Sequence, residues 1–254
     1  MTLNGFNVSG KKAIVPGGAG DLGYGMVAAL RDAGVDVVIL DIAEDLREMV
    51  EKLNETEGAQ VSYIHVDLAN RKSLREAFGQ ALEILGTVDI LLNCQGIQRR
   101  YAAEKFPLDV WDEVIEINLT SVFETCQLAG IVMLEKGYGK IISIASMQSF
   151  FGGITIPAYA ASKSGLSMLT KALSNEWAGR GVNVNAIAPG YMDTKMTAAI
   201  KDDPVRYERI LARIPYGRWG TTEDLCGPML FLASSASDYI NGVILPVDGG
   251  MLGR

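Results

Sequence analysis

Short apolar runs alternate along the 254-residue chain with longer segments in which apolar residues recur every three to four positions. The short runs are rich in β-branched residues and apolar on both faces, as expected of strands buried in a parallel sheet. We predict seven strands, at residues 12–16, 36–41, 61–66, 88–93, 140–145, 182–188 and 243–247. Helices are predicted near residues 22–33, 44–57, 70–85, 108–135, 157–178, 193–212 and 221–234.

Repeated alternation of strand and helix predicts an α/β fold of the Rossmann type. The expected architecture is a doubly wound, seven-stranded parallel sheet with right-handed crossovers and helices on both faces. No Pro/Gly/Ser-rich linker and no internal repeat divides the chain, so we predict one domain over residues 1–254. Ligands of such sheets bind outside the carboxyl ends of the strands. The residues that directly follow each strand are therefore the candidates for chemistry.

The amino-acid composition limits the binding partners and the cellular compartment that we expect for this protein. The formal net charge is −7, and the largest basic cluster is Arg99-Arg100, which argues against binding to nucleic acid or to an anionic membrane. Three scattered cysteines and the absence of a signal-peptide core or a long apolar run lead us to expect a cytoplasmic protein. The single histidine, His65, lies in a strand and is expected to be structural, and no metal site is predicted.

A glycine-rich loop follows the first strand and precedes the first helix. Gly17, Gly18, Gly20 and Gly23 are spaced as in loops that bring a helix N-terminus to a dinucleotide pyrophosphate. Asp41 ends the second strand 18 residues after Gly23. A carboxylate there would accept hydrogen bonds from ribose hydroxyls and repel the 2′-phosphate of NADP, which favours NAD (NADH) over NADP. The alternatives are a glycine turn needed only for packing and an aspartate that caps the helix at 44–57.

A tyrosine and a lysine four residues apart provide candidate acid/base chemistry. The chain has three such pairs, and only Tyr159 and Lys163 lie in an unbroken helical pattern, where they share a face. An ammonium group one turn away would lower the pKa of the phenol toward the working range. Ser146, 13 residues earlier at a strand end, is placed to hydrogen-bond a reacting carbonyl or alcohol oxygen.

These motifs resemble the short-chain dehydrogenase/reductase family, in its shorter single-domain branch, over essentially the whole chain. Further matching segments fall in the expected order: Asp67-Leu68 after strand three, Asn93-Cys94-Gln95-Gly96 after strand four and Pro189-Gly190 after strand six. The resemblance implies a catalytic tetrad of Asn118, Ser146, Tyr159 and Lys163. In it Tyr159 is the acid/base, Lys163 lowers its pKa and binds nicotinamide-ribose hydroxyls, and Asn118 holds a proton-relay water.

The same resemblance implies the cofactor site and the assembly. The expected cofactor-binding residues are Gly17, Gly20, Asp21, Leu22, Gly23, Asp41, Ile42, Asp67, Leu68, Asn93, Gly96, Tyr159, Lys163, Pro189, Gly190, Met192 and Thr194. Thr194 is expected to reach the nicotinamide amide. A homotetramer is expected, built through the helices at 108–135 and 157–178 and the C-terminal strand.

Four positions depart from the family pattern. Pro16 stands where the family has threonine, and Asp21 places a carboxylate at the mouth of the pyrophosphate site where a glycine is usual. Cys94 and Gln95 replace Asn-Ala, and we infer that the changes at Pro16 and Cys94 are linked. Weakened cofactor binding would favour an alternative reading, a non-catalytic cofactor-sensing protein.

The segments at residues 96–100, 144–150, 175–177, 188–192, 214–220 and 234–239 resemble the branch of the family that acts on deoxy- and keto-gluconates, and the resemblance is strongest from residue 141 onward. The resemblance implies an NAD-dependent oxidoreductase that moves hydride between nicotinamide and a hydroxyl or keto carbon of a sugar acid. A related reductase of gluconate or of a 3-oxoacyl thioester is the alternative. Arg99 or Arg100 would bind the substrate carboxylate, unless they are solvated or make subunit contacts. The remaining predicted substrate contacts are Ser146, Gln148, Tyr191 and Trp219, under a mobile lid at about 193–216.

Overall fold

The seven strands of the computed structural model form one parallel sheet in the order β3-β2-β1-β4-β5-β6-β7. The structure describes residues 3–253 and, among their side chains, those of 5–195, 197–198, 200 and 202–253. The strands are β1 Lys12–Pro16, β2 Asp36–Asp41, β3 Val61–His65, β4 Ile90–Asn93, β5 Gly139–Ile144, β6 Val182–Pro189 and β7 Ile244–Val247. The predicted doubly wound Rossmann sheet is confirmed, with strand ends within two residues of the predicted ones.

Helices cover both faces of the sheet. Within residues 3–253 the α-helices are α1 Asp21–Asp32, α2 Leu46–Leu53, α3 Arg71–Leu85, α4 Leu108–Ile115, α5 Ser121–Lys136, α6 Pro157–Trp177, α7 Ala198–Lys201, α8 Pro204–Leu211 and α9 Glu223–Ala233. The prediction of one helix over 193–212 is wrong, because a short 3₁₀ turn, α7 and α8 replace it. Asp203 caps α8 by accepting the N–H of Arg206, and Pro204 at the first helical position prevents α7 from continuing.

Alternate residues of each strand supply two hydrophobic layers. On one face Ile14 and Leu91 pack with Phe78 of α3 and Leu166 of α6. On the other face Val15, Ile39 and Leu92 pack with residues of α1 and α9. This two-sided burial explains why the strands are apolar at successive positions.

The helical run Leu108–Lys136 is long and apolar enough to cross a membrane by length and composition alone. Half of its most apolar window is buried in this fold, where α5 packs against β4, β5 and α6. A five-residue π-helical segment, Glu116–Thr120, joins α4 to α5. Such segments are rare and occur frequently at functional sites, and this one contains Asn118.

Candidate active site

The glycine loop follows β1 and lies next to the end of β4. Between these two neighbouring strands the strand order of the sheet changes direction. Gly17 has φ +73°, and a Cβ there would lie 2.3 Å from the backbone nitrogen of Gln95. A Cβ on Gly23 would lie 2.4 Å from the carbonyl oxygen of Gly17. The loop therefore needs both glycines to fold tightly before α1 begins at Asp21. This cradle at a helix N-terminus fits the pyrophosphate of a dinucleotide.

Two departures from the family pattern meet in this loop. The N–H of Cys94 donates to the carbonyl oxygen of Pro16 at 2.9 Å, so the strand-one and strand-four changes are in direct contact. Burial raises the pKa of the Cys94 thiol, and the nearby charge of Lys163 opposes the rise. A protonated thiol there is a small apolar neighbour of the cleft rather than a nucleophile.

Asp41 fastens the end of β2 to the glycine loop. One carboxylate oxygen accepts the N–H of Ala19 at 2.9 Å, and the other accepts those of Ile42 at 2.7 Å and Ala43 at 3.2 Å. The residue before α2 is Asp45, so Asp41 does not cap that helix. Its carboxylate lies beside the loop, where the adenosine half of a dinucleotide would bind.

Asp21 contacts the predicted lid. Its carboxylate accepts the backbone N–H of Lys195 at 2.6 Å and lies 3.8 Å from the ammonium nitrogen of that lysine. The hydroxyl of Thr222 donates to the Asp21 carbonyl oxygen at 3.4 Å. The residue that departs from glycine at the start of α1 therefore links the glycine loop to the segment at 193–216.

The four predicted tetrad residues converge at the carboxyl ends of β4 and β5. Ser146 follows β5, Tyr159 and Lys163 lie on one face of α6, and Asn118 lies in the π-helical segment. Tyr159 and Ser146 line the same cleft, and the Lys163 ammonium lies 5.8 Å from the centre of the Tyr159 ring. The same ammonium donates to the carbonyl oxygen of Ile144 at 2.6 Å.

Asn118 uses its whole amide inside the protein. Its Oδ1 accepts the N–H of Ile97 at 2.8 Å, and its Nδ2 donates to the Ile97 carbonyl at 2.9 Å and to the Ser162 hydroxyl at 3.1 Å. Through these hydrogen bonds Asn118 connects the loop after β4 to Ser162 of α6, the residue that precedes Lys163. The proton-relay water assigned to Asn118 stays a prediction.

The electrostatics differ from the expectation for Tyr159. Burial raises the pKa of Tyr159, and the Ser146 side chain opposes the rise. Burial also lowers the pKa of Lys163 to about 8, with the Cys94 thiol opposing the change. The Lys163 ammonium, which donates to the Ile144 carbonyl, is not among the causes of this shift, and the lowering of the tyrosine pKa by Lys163 stays a prediction.

A cleft of about 170 Å³ opens beside Tyr159, Lys163 and Ser146. Several predicted residues line it: Leu22, Gly96, Arg100, Gln148, Pro189, Gly190, Tyr191, Met192 and Thr194. Gln148 lines the cleft, and its Oε1 atom is buried with no hydrogen-bond partner among the described residues. The sequence reasoning missed Gln98, Ile156, Thr197 and Ile200, which also line the cleft. Gln98 and Ile156 lie in loops, Thr197 ends a 3₁₀ turn and Ile200 lies in α7, so their positions along the chain gave no common indication of the cleft.

Other residues that were predicted to contact substrate or cofactor make contacts within the protein instead. Arg99 donates to Glu113 at 2.8 Å and does not line the cleft, which leaves Arg100 as the cationic candidate. Trp219 lies behind Tyr191, with ring centres 5.4 Å apart, rather than on the cleft wall. The Asn93 amide contacts Cys126, Ser143 and Thr125 inside the core.

The strand-three residues and the histidine also have local roles. Leu68 is buried in the core, and Asp67 accepts the N–H of Ala69 at 2.9 Å in a turn. His65 Nε2 lies 3.1 Å from the carbonyl oxygen of Ile42. Among the described residues no group of three or more His, Cys, Asp or Glu side chains is arranged to hold a metal ion.

Fold and site geometry together define an oxidoreductase of the Rossmann class, and the comparisons agree. Residues 17–252 match a family model described as enoyl-(acyl carrier protein) reductase. The chain belongs to the short-chain dehydrogenase/reductase family.

Individual relatives match along nearly their whole length. The chain is 46% identical over 249 residues to 2-dehydro-3-deoxy-D-gluconate 5-dehydrogenase of Bacillus subtilis, covering 98% of this chain and 97% of that one. It is 39% identical to 5-keto-D-gluconate 5-reductase of Escherichia coli, with 97% of each chain covered. A crystal structure of gluconate 5-dehydrogenase from Burkholderia cenocepacia, in complex with NADP and tartrate, has a TM-score of 0.94 at 36% identity, with 99% of each chain covered.

Proposed function

We propose that this protein is an NAD-dependent dehydrogenase of a deoxy or keto sugar acid. The observation that carries the proposal is the composition of one cleft. It joins Tyr159 and Ser146 to the cationic Arg100 and to the side-chain amide of Gln148. Such a cleft offers an acid/base, a donor to the reacting oxygen, a cation for a carboxylate and an amide for a hydroxyl.

In the oxidising direction the chain's own groups handle the proton. Ser146 donates a hydrogen bond to the substrate oxygen, and Tyr159, once deprotonated to the phenolate, accepts the proton of the substrate hydroxyl and becomes the neutral phenol. Lys163 and Asn118 hold α6 and the loop after β4 around the reacting atoms. The bound nicotinamide supplies the hydride acceptor. In the reducing direction Tyr159 returns the proton, which suits a phenol that burial keeps neutral.

The preference for NAD rests on charge at the adenosine end. Asp41 is followed by Ile42, Ala43, Glu44 and Asp45, so the turn carries no cation for a 2′-phosphate. Three similar structures, including the Burkholderia cenocepacia one, were solved with bound NADP. Measuring the dissociation constants of NADH and NADPH for the wild-type protein and Asp41→Ala tests the preference. Tighter binding of NADPH by the wild type would refute it.

The sugar-acid assignment draws on the names of the relatives. Curated relatives at 43–46% identity are named 2-dehydro-3-deoxy-D-gluconate 5-dehydrogenases, and one structural relative was crystallised with tartrate, a dicarboxylate. The description of the matched family model favours a second candidate, an acyl-thioester reductase. Following NADH absorbance with a panel of keto sugar acids and one 3-oxoacyl thioester separates the two.

Tyr159→Phe should abolish turnover and leave NADH binding intact, because the phenol carries the proton and its ring still fills the site. Arg100→Met should raise KM for acids, whereas Arg99→Met should not, because Arg99 is occupied by Glu113. If NADH binds without turnover of any substrate, the cofactor-sensing alternative replaces the enzyme.

We also propose a homotetramer. Phe123 and Ile131 on α5 and Met168 on α6 expose large apolar side chains, at 43, 62 and 62% of their full areas. Two such helices side by side form a surface suited to a second copy. Light scattering after size exclusion tests the assembly, and a monomer at micromolar concentration would contradict it.

A further inference from the structure

The glycine loop and the start of the predicted lid meet at Asp21, the first residue of α1. The Asp21 carboxylate accepts the backbone N–H of Lys195 at 2.6 Å, although the two residues are 174 positions apart in the chain. The ammonium nitrogen of Lys195 lies 3.8 Å from the same carboxylate. A glycine at position 21, which is usual in the family, has no side-chain acceptor and could not make either contact.

The hydrogen bond contributes more to this contact than the ion pair does. The Lys195 side chain is 95% exposed and the Asp21 side chain 31%. An exposed ion pair contributes little, because water screens the charges and a long side chain must be ordered. A backbone N–H that donates to a carboxylate makes a charge-assisted hydrogen bond, which is stronger than one between neutral groups. Asp21 therefore acts mainly on the backbone of the lid.

The backbone around Lys195 carries three residues of the cleft wall, Met192, Thr194 and Thr197. The N–H of Thr194 donates to the Thr197 hydroxyl at 3.2 Å, and that hydroxyl donates to the Met192 carbonyl oxygen at 2.6 Å. These short-range hydrogen bonds join residues 192–197 into one local unit. A contact that fixes Lys195 therefore fixes this part of the cleft wall.

A second set of hydrogen bonds attaches the same unit to the residues before α9. The N–H of Asp193 donates to the Gly220 carbonyl oxygen at 2.8 Å, and the Thr222 hydroxyl donates to the Asp21 carbonyl oxygen at 3.4 Å. Gly25 of α1 makes room for this approach, since a Cβ there would lie 2.3 Å from Cγ2 of Thr222. All of these contacts are made by groups of the chain itself, so they need no bound ligand.

We propose that Asp21 is a positioning residue that holds the start of the lid at the cleft before substrate binds. A wall that is already ordered costs less free energy to close around a ligand, so its substrate binds more tightly. The contact itself goes beyond the proposed function, and only its effect on substrate binding rests on that function. The carboxylate that departs from glycine therefore connects the cofactor half of the site to the substrate half.

Amide hydrogen exchange of the free protein, measured by mass spectrometry on peptides covering residues 192–198, tests the contact. Asp21→Ala should raise the exchange rate there about tenfold, as expected for loss of one charge-assisted hydrogen bond. Asp21→Asn keeps an acceptor oxygen and should recover most of the protection. Asp45→Ala is the matched control, because Asp45 lines the same surface groove as Asp21 and its removal leaves the hydrogen bond to Lys195 in place.

Two variants of Lys195 separate its backbone from its side chain. Lys195→Met removes the ammonium group and should leave the exchange of the neighbouring amides unchanged. Lys195→Pro removes the N–H at a position that suits proline, because Lys195 begins a 3₁₀ turn and Thr194 before it is extended, with φ −145° and ψ 166°. This variant should behave as Asp21→Ala does, and the double variant should exchange no faster than either single one.

Steady-state kinetics with a keto sugar acid that the wild type reduces provide the second readout. Asp21→Ala should raise KM about tenfold and change kcat less, because the cost of ordering the lid then falls on substrate binding. Exchange at residues 192–198 that Asp21→Ala does not change overturns the inference, as does a fall in kcat with KM unchanged. If the wild type turns over no acid, the proposed function fails, whereas faster exchange in Asp21→Ala still supports the contact.

Discussion

The ammonium group of Lys163 is buried, and its hydrogen-bond partner is a neutral carbonyl oxygen. Burying the charge in this way lowers the free energy of unfolding by a measurable amount. The side chain is 3% exposed, and burial lowers its pKa from 10.5 to about 8. One pKa unit corresponds to 1.36 kcal/mol, so keeping the ammonium charged in the folded state costs about 3 kcal/mol at neutral pH. Lys163→Met removes that cost and leaves the Ile144 carbonyl without its donor, a loss of about 1–3 kcal/mol.

The sign and the pH range follow from the two pKa values. Between pH 8 and 10.5 the unfolded wild type holds a proton on Lys163 that the folded protein has released. Wild-type stability from this group therefore rises with pH by about 1.4 kcal/mol per unit across that range. The methionine variant has no such proton. Its free energy of unfolding relative to the wild type should be constant below pH 8 and fall as pH rises toward 10.5.

Urea unfolding at fixed protein concentration, repeated from about pH 7 to about pH 10, measures the difference. Other titrating groups are the same in both proteins and cancel. Lys171→Met is the matched control, because Lys171 is exposed on the same helix. That control should show no such pH trend. A stability difference for Lys163→Met that does not vary with pH would refute the reasoning, whereas loss of turnover alone would not test it.

Three further predictions concern the two halves of the site. Ser146→Ala removes the hydroxyl that opposes the rise in the pKa of Tyr159, so the acidic limb of the kcat/KM profile for alcohol oxidation should move to higher pH, with turnover reduced about 100-fold. An acidic limb that does not move contradicts this. Asp21→Asn removes a negative charge beside the pyrophosphate site and should lower the NADH dissociation constant about threefold, whereas weaker binding would show that the contact with Lys195 matters more. Gly17→Ala should abolish NADH binding and lower the melting temperature, because its Cβ would meet backbone at 2.3 Å.

The sheet could be predicted because strands buried on both faces carry a continuous apolar pattern, which β1 and β2 show clearly. The position of Tyr159 and Lys163 on one face of α6 could be predicted from spacing, since residues four apart on a helix share a face, whereas the choice of Asn118 came from the resemblance to the family. The roles of Arg99 and Trp219 could not be predicted from the sequence, because their partners Glu113 and Tyr191 lie 14 and 28 residues away along the chain. The sequence pattern does not show which of two adjacent arginines finds a carboxylate.

Two buried lysines show what distinguishes the site physically from the rest of the core. Lys140 is 1% exposed, and its ammonium lies 2.6 Å from a carboxylate oxygen of Asp238 and 2.9 Å from Oδ1 of Asn183. Lys163 is almost as buried and donates to a neutral carbonyl. Charged side chains in a protein core are normally paired, because an unpaired charge lowers the stability of the fold. An unpaired buried charge is therefore kept where the function requires it. The uncompensated charge beside Tyr159 is therefore an argument for catalysis that does not depend on the family motif.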